Sequence, residues 1–375
     1  MGGERPGARA GAPAEDGVEF HLGDGRLSGA LGVALGALSL LAVLCFRFPE
    51  LLTTPELRAI YPMGLVRATL FGALVCALAA GALAVLLGRR ALGLAGLALA
   101  GAAIALGGAW VETGPVAASS HAGLDWFVLD LLVLALVFVP LERAFARVRE
   151  QRILRAGWRT DLAHFFASHL LVQVLALLTI APAELLLGGI VPAGLHQTVS
   201  AWPLAVQVAL AIACADLFQY WIHRAFHTVP RLWRFHAIHH SSRTMDWLAG
   251  SRLHLVDIVV TRGLSFVPLY VLGFAQPPVF AYVLFVSFQA VLIHANVGWR
   301  FAPVRWLLAT PQDHHWHHAV EPVDVNFAVH LPLIDAVFGT LYLPHDGWPG
   351  AYGLAGRPVP EGYWTQLAYP FRAGR

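Results

Sequence analysis

The sequence contains no lysine: all 25 of its basic side chains are arginine. Alongside 36 glycines and abundant alanine, this reads as codon bias rather than chemistry. Charge of either sign is scarce as well, with Asp, Glu, Lys and Arg making up 13% of the 375 residues. That is about half the ~25% of an ordinary soluble domain. Hydrophobic residues reach 57% and the mean hydropathy is +0.63, so the composition points to a membrane protein. A net charge of +2 is too small to indicate a nucleic-acid partner. Only three cysteines occur, Cys45, Cys76 and Cys214, each in an apolar run and without C-x-x-C spacing. That pattern points to neither a disulfide framework nor a thiolate zinc site. No haem-attachment motif, Fe–S cysteine set or dinucleotide fingerprint is present, so any redox chemistry must draw electrons from a separate partner.

What the sequence does contain is long uncharged runs. A spanning helix needs ~20 apolar residues, and Leu27–Phe46, Ala68–Gly88 and Ala91–Val111 satisfy that in succession. Gly123–Leu141 is a fourth, with Asp125 at its solvated end and Asp130 deeper, facing protein or water. The Arg-rich stretch Glu142–Asp161 reads as a solvated helix on the membrane surface, on the cytoplasmic side. Apolar sequence resumes from Leu162 to about Ile190 and returns over Ala201–Trp221. After Arg262 no charge appears until Arg300, and GFAQPP at 273–278 divides that run into a hairpin with a short first arm. Eight crossings follow, with both termini and every histidine cluster on the cytoplasmic face; Arg47, Arg58 and Arg67 conflict with this count. The expected fold class is all-α, a polytopic membrane helical bundle with a cytoplasmic histidine-rich helical cap. Residues 1–26 read as a disordered tail, 27–111 as an accessory membrane region, 123–345 as the functional domain and 346–375 as a C-terminal tail.

Three histidine clusters stand out. His223 and His227 are spaced i, i+4; His236, His239 and His240 form H-x-x-H-H, and His314, His317 and His318 repeat it. On a helix such spacings place imidazoles on a common face. Asp216, Tyr220, His223 and His227 make one continuous stripe, so Asp216 is placed to accept the second N–H of a liganding histidine. Eight imidazoles exceed what one catalytic or structural zinc uses. They match two metals, each held by four or five rings, with positions left open. His294, arriving within H-A-N beside Asn296, and His254, in SRLH, are further candidates. His315 breaks the spacing and ranks below them; His21, His121, His164, His169, His196, His330 and His345 read as structural or interfacial. Two zincs remain open on ligand count, but no cluster carries a carboxylate where H-E-x-x-H has its general base. A metal transporter would need polar residues along its spans, and these spans have almost none.

The ordered set YWIHRAFH, HAIHHSSRTMDWLAGSRLH, TPQDHHWHH and NFAVHLPLIDAVFGTLYLP resembles the fatty acid hydroxylase/sterol desaturase superfamily, over roughly Gly123 to Pro344. The resemblance implies an integral membrane, non-haem di-iron oxygenase acting on lipid with O2 and electrons from a reductase, ferredoxin or cytochrome. Its metal ligands fall on His223, His227, His236, His239, His240, His314, His317 and His318. Its terminal signature begins at Asp335, which joins Asp216, Tyr220 and Asn296 as expected supports of the ligands. Ile334 stands where the family usually has Trp, and Leu255 where many members have Pro, departures that bear on the subfamily rather than the metal motifs. The expected reaction is hydroxylation of a lipid C–H bond, with desaturation at the same site as the alternative.

Overall fold

A computed structural model describes residues 25–54, 58, 62–115, 124–170, 185, 187, 189, 191–300, 304–344, 347–356 and 358–372. Among these residues there is no strand beyond two isolated bridges, Ala146–Val297 and Ala319–Tyr352. Among the described residues, seven helices are long and apolar enough to cross a membrane. The further crossing expected from Leu162 to about Ile190 lies mostly outside the described residues, as do His21, His121 and His345. The chain divides into two compact units, residues 1–47 with 61–113, and residues 48–60 with 114–375.

In the first unit, helices α1 (Arg26–Arg47), α2 (Met63–Leu86) and α3 (Arg90–Ala105) pack on one another. Their approach depends on missing side chains. A Cβ on Gly32 would lie 2.9 Å from the backbone nitrogen of Gly81, and one on Gly96 would lie 2.8 Å from the Gly32 carbonyl carbon. Small residues at such crossings let helix backbones close up where lipid offers no hydrophobic drive to association. Arg67, one of the arginines in conflict with the crossing count, donates to the Ala109 and Val111 carbonyls at 2.6 and 2.9 Å. Its charge is absorbed by the carbonyls that follow α3.

The second unit carries the histidines. Helix α4 (Leu124–Ala144) exposes Leu132, Val133 and Leu136, as a lipid-facing span does. Asp125, expected to be solvated, instead accepts from the Thr54 backbone and hydroxyl at 2.9 and 3.0 Å. The Arg-rich connection is not a surface helix. Residues 145–157 run as turns, in which Arg155 finds buried carboxylates and Arg147 a half-buried hydroxyl. Arg155 pairs with Asp161 and Asp246 at 2.7 and 2.8 Å, and Arg147 donates to the Tyr352 hydroxyl at 2.6 Å.

Helix α5 (Trp158–Leu170) follows, then α6 (Leu204–Thr228), which runs past Trp221 and so carries His223 and His227. The short α7 (Pro230–His236) leads to a 3-10 turn at His239–Ser241. The hairpin is α8 (Leu255–Leu272) and α9 (Gln276–His294), joined where Gly273 adopts φ +68°. Its first arm is not short. The helix starts before Arg262, because His254 caps it by accepting the Val256 N–H at 3.0 Å. Two short helices, α10 (Pro311–His317) and α11 (Pro332–Phe338), and the C-terminal α12 (Tyr363–Arg372) complete the unit.

Candidate metal centre

Among the described residues, nine histidines converge in two adjoining groups. His223, His227, His236, His240 and His317 form one, and His239, His294, His314 and His318 the other; within each group one nitrogen from every ring lies within 4.8 Å of the others. The groups touch where the His240 and His318 rings stack, centroids 4.4 Å apart. Each H-x-x-H-H motif feeds both. His236 and His240, spaced i, i+4, enter the first group while His239 enters the second; His314 and His318 enter the second while His317 enters the first. In α10, positions i+3 and i+4 differ by about 100° around the helix, so His317 parts from His314 and His318.

The hydrogen bonds fix which nitrogen faces inward. His223 Nδ1 donates to the Phe327 carbonyl at 2.7 Å and His317 Nδ1 to that of Val325 at 2.7 Å. His236 Nδ1 donates to Asp257 at 2.7 Å, and His227 Nδ1 to Asp324 at 3.1 Å. In the second group, His239 Nδ1 donates to the Arg252 carbonyl at 3.2 Å and His294 Nδ1 to that of Ala290 at 2.6 Å. A neutral imidazole with its proton on Nδ1 presents a bare lone pair at Nε2. His236 and His239 are neutral, since burial and then the neighbouring imidazoles (His223 and His294 foremost) push both pKa values well below the ordinary range.

Lone pairs therefore meet. The His223 and His236 Nε2 atoms lie 3.0 Å apart, and those of His239 and His294 3.3 Å apart. Two acceptors face each other at such a distance only with a cation between them, and ~3 Å is the separation of neighbouring nitrogens bound to one metal at ~2.1 Å. The Nε2 atoms of His227, His240 and His317 are likewise buried without a partner. The donor set fits a pair of imidazole-binding transition metals.

The other expected residues sit differently. His254 is not in either group: its Nδ1 caps α8 and its Nε2 meets the Leu367 carbonyl at 3.1 Å, so both nitrogens are engaged. Asp216 touches no imidazole. It accepts the backbone N–H groups of Val329, His330 and Leu331 at 3.0, 3.2 and 2.6 Å. Asp335 likewise accepts those of Phe327 and Ala328 at 2.7 and 2.9 Å. Both clamp the segment 325–331, whose carbonyls hold His317 and His223, so they act on the ligands one bond further out. The Tyr220 hydroxyl pairs with Thr340 at 3.0 Å, and Asn296 pairs through both amide atoms with Val148, each at 3.0 Å; neither reaches a ring. His315 uses Nδ1 on the Tyr352 hydroxyl at 2.8 Å and Nε2 on the Ala295 carbonyl at 3.1 Å. Burial, then Arg147, pushes its pKa down to about 3.

Asp257 and Asp324 are the residues that sequence reasoning missed. An acid one turn inside an apolar run, as Asp257 is, was the available signal, the same one that singled out Asp130. A carboxylate on the outer nitrogen orients a liganding imidazole and raises its basicity, and losing it typically costs 10–100-fold in metal affinity. Asp257→Asn and Asp324→Asn are each expected to weaken binding at the five-histidine group by about 10-fold or more, and to leave the four-histidine group unchanged. Competition against a chromophoric chelator measures this, and unaltered affinity in both variants would remove the acids from that role.

The stretch that carries the nine histidines is matched by a family model. The fatty acid hydroxylase family model matches residues 208–340. An ornithine lipid hydroxylase, OlsE, from Rhizobium tropici is 36% identical over 178 residues, covering 46% of this chain and 53% of that protein. The alkylglycerol monooxygenase of Homo sapiens is 32% identical over 128 residues, 33% of this chain and 28% of its own. The fatty acid hydroxylase vlmA of a Lecanicillium species is 31% identical over 159 residues, 37% of this chain and 42% of its own. The chain thus spans about half the length of these relatives or less. No solved structure matches.

Proposed function

We propose, from the match of residues 208–340 to the fatty acid hydroxylase family model, that this chain is a membrane oxidoreductase that hydroxylates a C–H bond in the hydrocarbon chain of a polar lipid. The observation that carries the reading is the pair of adjoining groups, five and four buried imidazoles, with facing Nε2 lone pairs. Relatives named for ornithine lipid, alkylglycerol and fatty acid support a long-chain substrate with a polar end. The reaction consumes R–H, O2, two electrons and two protons, and yields R–OH and water.

The nine histidines would hold two irons, which supply the activation of O2. The chain's own residues fix those rings. Backbone carbonyls and two carboxylates lock their tautomers, and the Asp216 and Asp335 clamps hold the segment from which two of the carbonyls come. Burial excludes bulk water from a site where a reactive oxidant must be confined. Helices α6 and α9 deliver His223, His227 and His294 at their ends, so a lipid would approach laterally from the bilayer while electrons arrive from an external donor.

The test is product formation by the purified, iron-loaded protein with O2, membrane lipid and a reductase system. One atom of 18O from 18O2 is expected in the product. A desaturated product without label would transfer the reading to a desaturase. Turnover under strict anaerobiosis, with oxygen drawn from labelled water, would reject oxygenase chemistry and favour a metal hydrolase.

We also place the histidine groups and both termini on the cytoplasmic side. A single cysteine at position 196 and one at position 243, in a chain without the three native cysteines, are expected to react with an impermeant reagent from opposite sides. Labelling of both from one side would overturn this orientation.

A further inference from the structure

The Arg-rich connection after α4 divides its arginines by use. Arg147 and Arg155 turn inward, onto the Tyr352 hydroxyl and onto Asp161 and Asp246. Arg143, Arg149 and Arg152 are exposed, and none has a hydrogen-bond or ion-pair partner among the described residues. All three nevertheless line one cleft of 540 Å³. Like charges gathered around one hollow repel unless an anion stands among them. The acids nearby do not supply it. Glu142 is the carboxylate in the lining, and its Oε1 accepts the backbone N–H groups of Trp247 and Asn296 at 2.7 and 2.8 Å. Three arginines against one glutamate leave the lining with two positive charges in excess. Glu150 is exposed outside the lining, and counting it as well still leaves one.

Position and the rest of the lining narrow the kind of anion. Val139 and Glu142 line the cleft from the last two turns of α4, whose apolar span ends at Ala144. The cleft therefore opens where a hydrocarbon core gives way to headgroups. Phe145 and Trp299 stand in its wall as an exposed aromatic pair, centroids 4.4 Å apart, and Val148 and Ile153 add exposed apolar surface. Aromatic rings of this kind favour the boundary between bilayer and water. A free phosphate has no use for an apolar border, whereas an amphiphile fits both parts of the lining.

We infer that this cleft seats the head of an anionic glycerophospholipid of the bilayer, with the phosphate among Arg143, Arg149 and Arg152 and the glycerol end against Phe145 and Trp299. Basic hollows beside membrane helices bind anionic headgroups by this combination of charge and depth. The seat does not depend on the oxygenase reading, but it adjoins the metal centre. Asn296, also in the lining, lies two residues past His294, and its amide brackets Val148 through two hydrogen bonds of 3.0 Å. A lipid held there braces the 143–153 connection against the segment that leaves the four-histidine group.

The experiment uses the full metal-loaded chain in neutral detergent, with bound lipid counted by native mass spectrometry. The probes are phosphatidylglycerol and phosphatidylcholine with the same acyl chains. A single phosphatidylglycerol is expected to bind about tenfold more tightly than phosphatidylcholine and to raise the melting temperature. Arg143→Gln combined with Arg149→Gln and Arg152→Gln should weaken that binding by about tenfold or more and remove the rise. Phosphatidylcholine binding and metal content should not change. Ala144→Trp, at an exposed position of the lining, should weaken phosphatidylglycerol with every arginine in place. Arg231→Gln combined with Arg234→Gln and Arg372→Gln removes the same charge from exposed positions outside the cleft and should leave binding as it was. Undiminished phosphatidylglycerol binding in the cleft variants would overturn the inference. So would an equal loss in the outside variant, which would reduce the effect to net charge. Equal affinity of the unaltered chain for both lipids would show that the arginines select no anion. Displacement of the lipid by an equal concentration of glycerol 3-phosphate would also overturn it and assign the cleft to a soluble phosphate ester.

Discussion

Alanine at His317 or at His239 is expected to leave a chain that holds about one metal in place of two and shows no measurable turnover. The two residues come from different motifs and enter different groups, His317 the set of five and His239 the set of four. Each points a nitrogen into its group while the other nitrogen is fixed by a backbone carbonyl, Val325 for His317 and Arg252 for His239. Truncation removes a ligand and leaves that carbonyl without its donor. Loss of an outer-nitrogen partner alone typically costs 10–100-fold in metal affinity, and loss of the ligand costs more. The groups adjoin through the His240–His318 stack, yet they share no ligand, so one should keep its metal when the other fails. Metal per chain, counted for iron and zinc together because imidazole sites prefer zinc to ferrous iron, reads the outcome. Loss of both metals from either variant would mean that the groups fold as one unit and that their separation here is only geometric.

That separation was the part of the site least legible in the sequence. The eight motif histidines announce themselves by spacing, because i, i+3 and i+4 intervals bring rings together whatever the tertiary fold. How a motif divides between centres depends on where its helix ends. The α7 helix stops at His236, and His239 and His240 lie in the 3-10 turn that follows, so consecutive rings diverge. His254 looked like a ligand because it sits after a histidine motif, but a residue that opens a helix has a use for its side chain as a cap.

The spans were legible for a reason of solvent rather than packing, since a bilayer demands ~20 apolar residues in a row. The exception proves instructive. Arg262 breaks the uncharged run and so hid the first seven residues of α8, although charge does not end a helix. Asp257 was hidden in the same segment, and with it the carboxylate that orients His236. Partners supplied by distant backbone, such as the Phe327 carbonyl on His223, leave no mark in a single sequence.

Gly250→Ala is the second large effect, and it comes from a residue with no chemistry of its own. Gly250 lies in the 3-10 turn Ala249–Ser251, with the His294 ring against its backbone. A Cβ there would stand 2.7 Å from His294 Nδ1, 3.0 Å from its Cγ and 3.2 Å from its Cε1. The ring is no loose side-chain end. Its Nδ1 donates to the Ala290 carbonyl at 2.6 Å, and its Nε2 lies 3.1 Å from that of His314. Tilting it away therefore spoils a ligand. Moving the turn instead disturbs Arg252, whose carbonyl holds His239 in the same group. Both routes of relief fall on the four-histidine group, and neither reaches the carbonyls and carboxylates that set the other five. Misplacement of a reacting geometry by 1 Å costs about 100-fold, so the variant should retain about one metal and lose turnover by at least that factor. Gly350→Ala, where a Cβ would meet nothing within 4 Å, should keep both metals and full activity. Two metals and normal turnover in Gly250→Ala would show that the turn yields without moving His294 or His239, and that the glycine is there for some other reason.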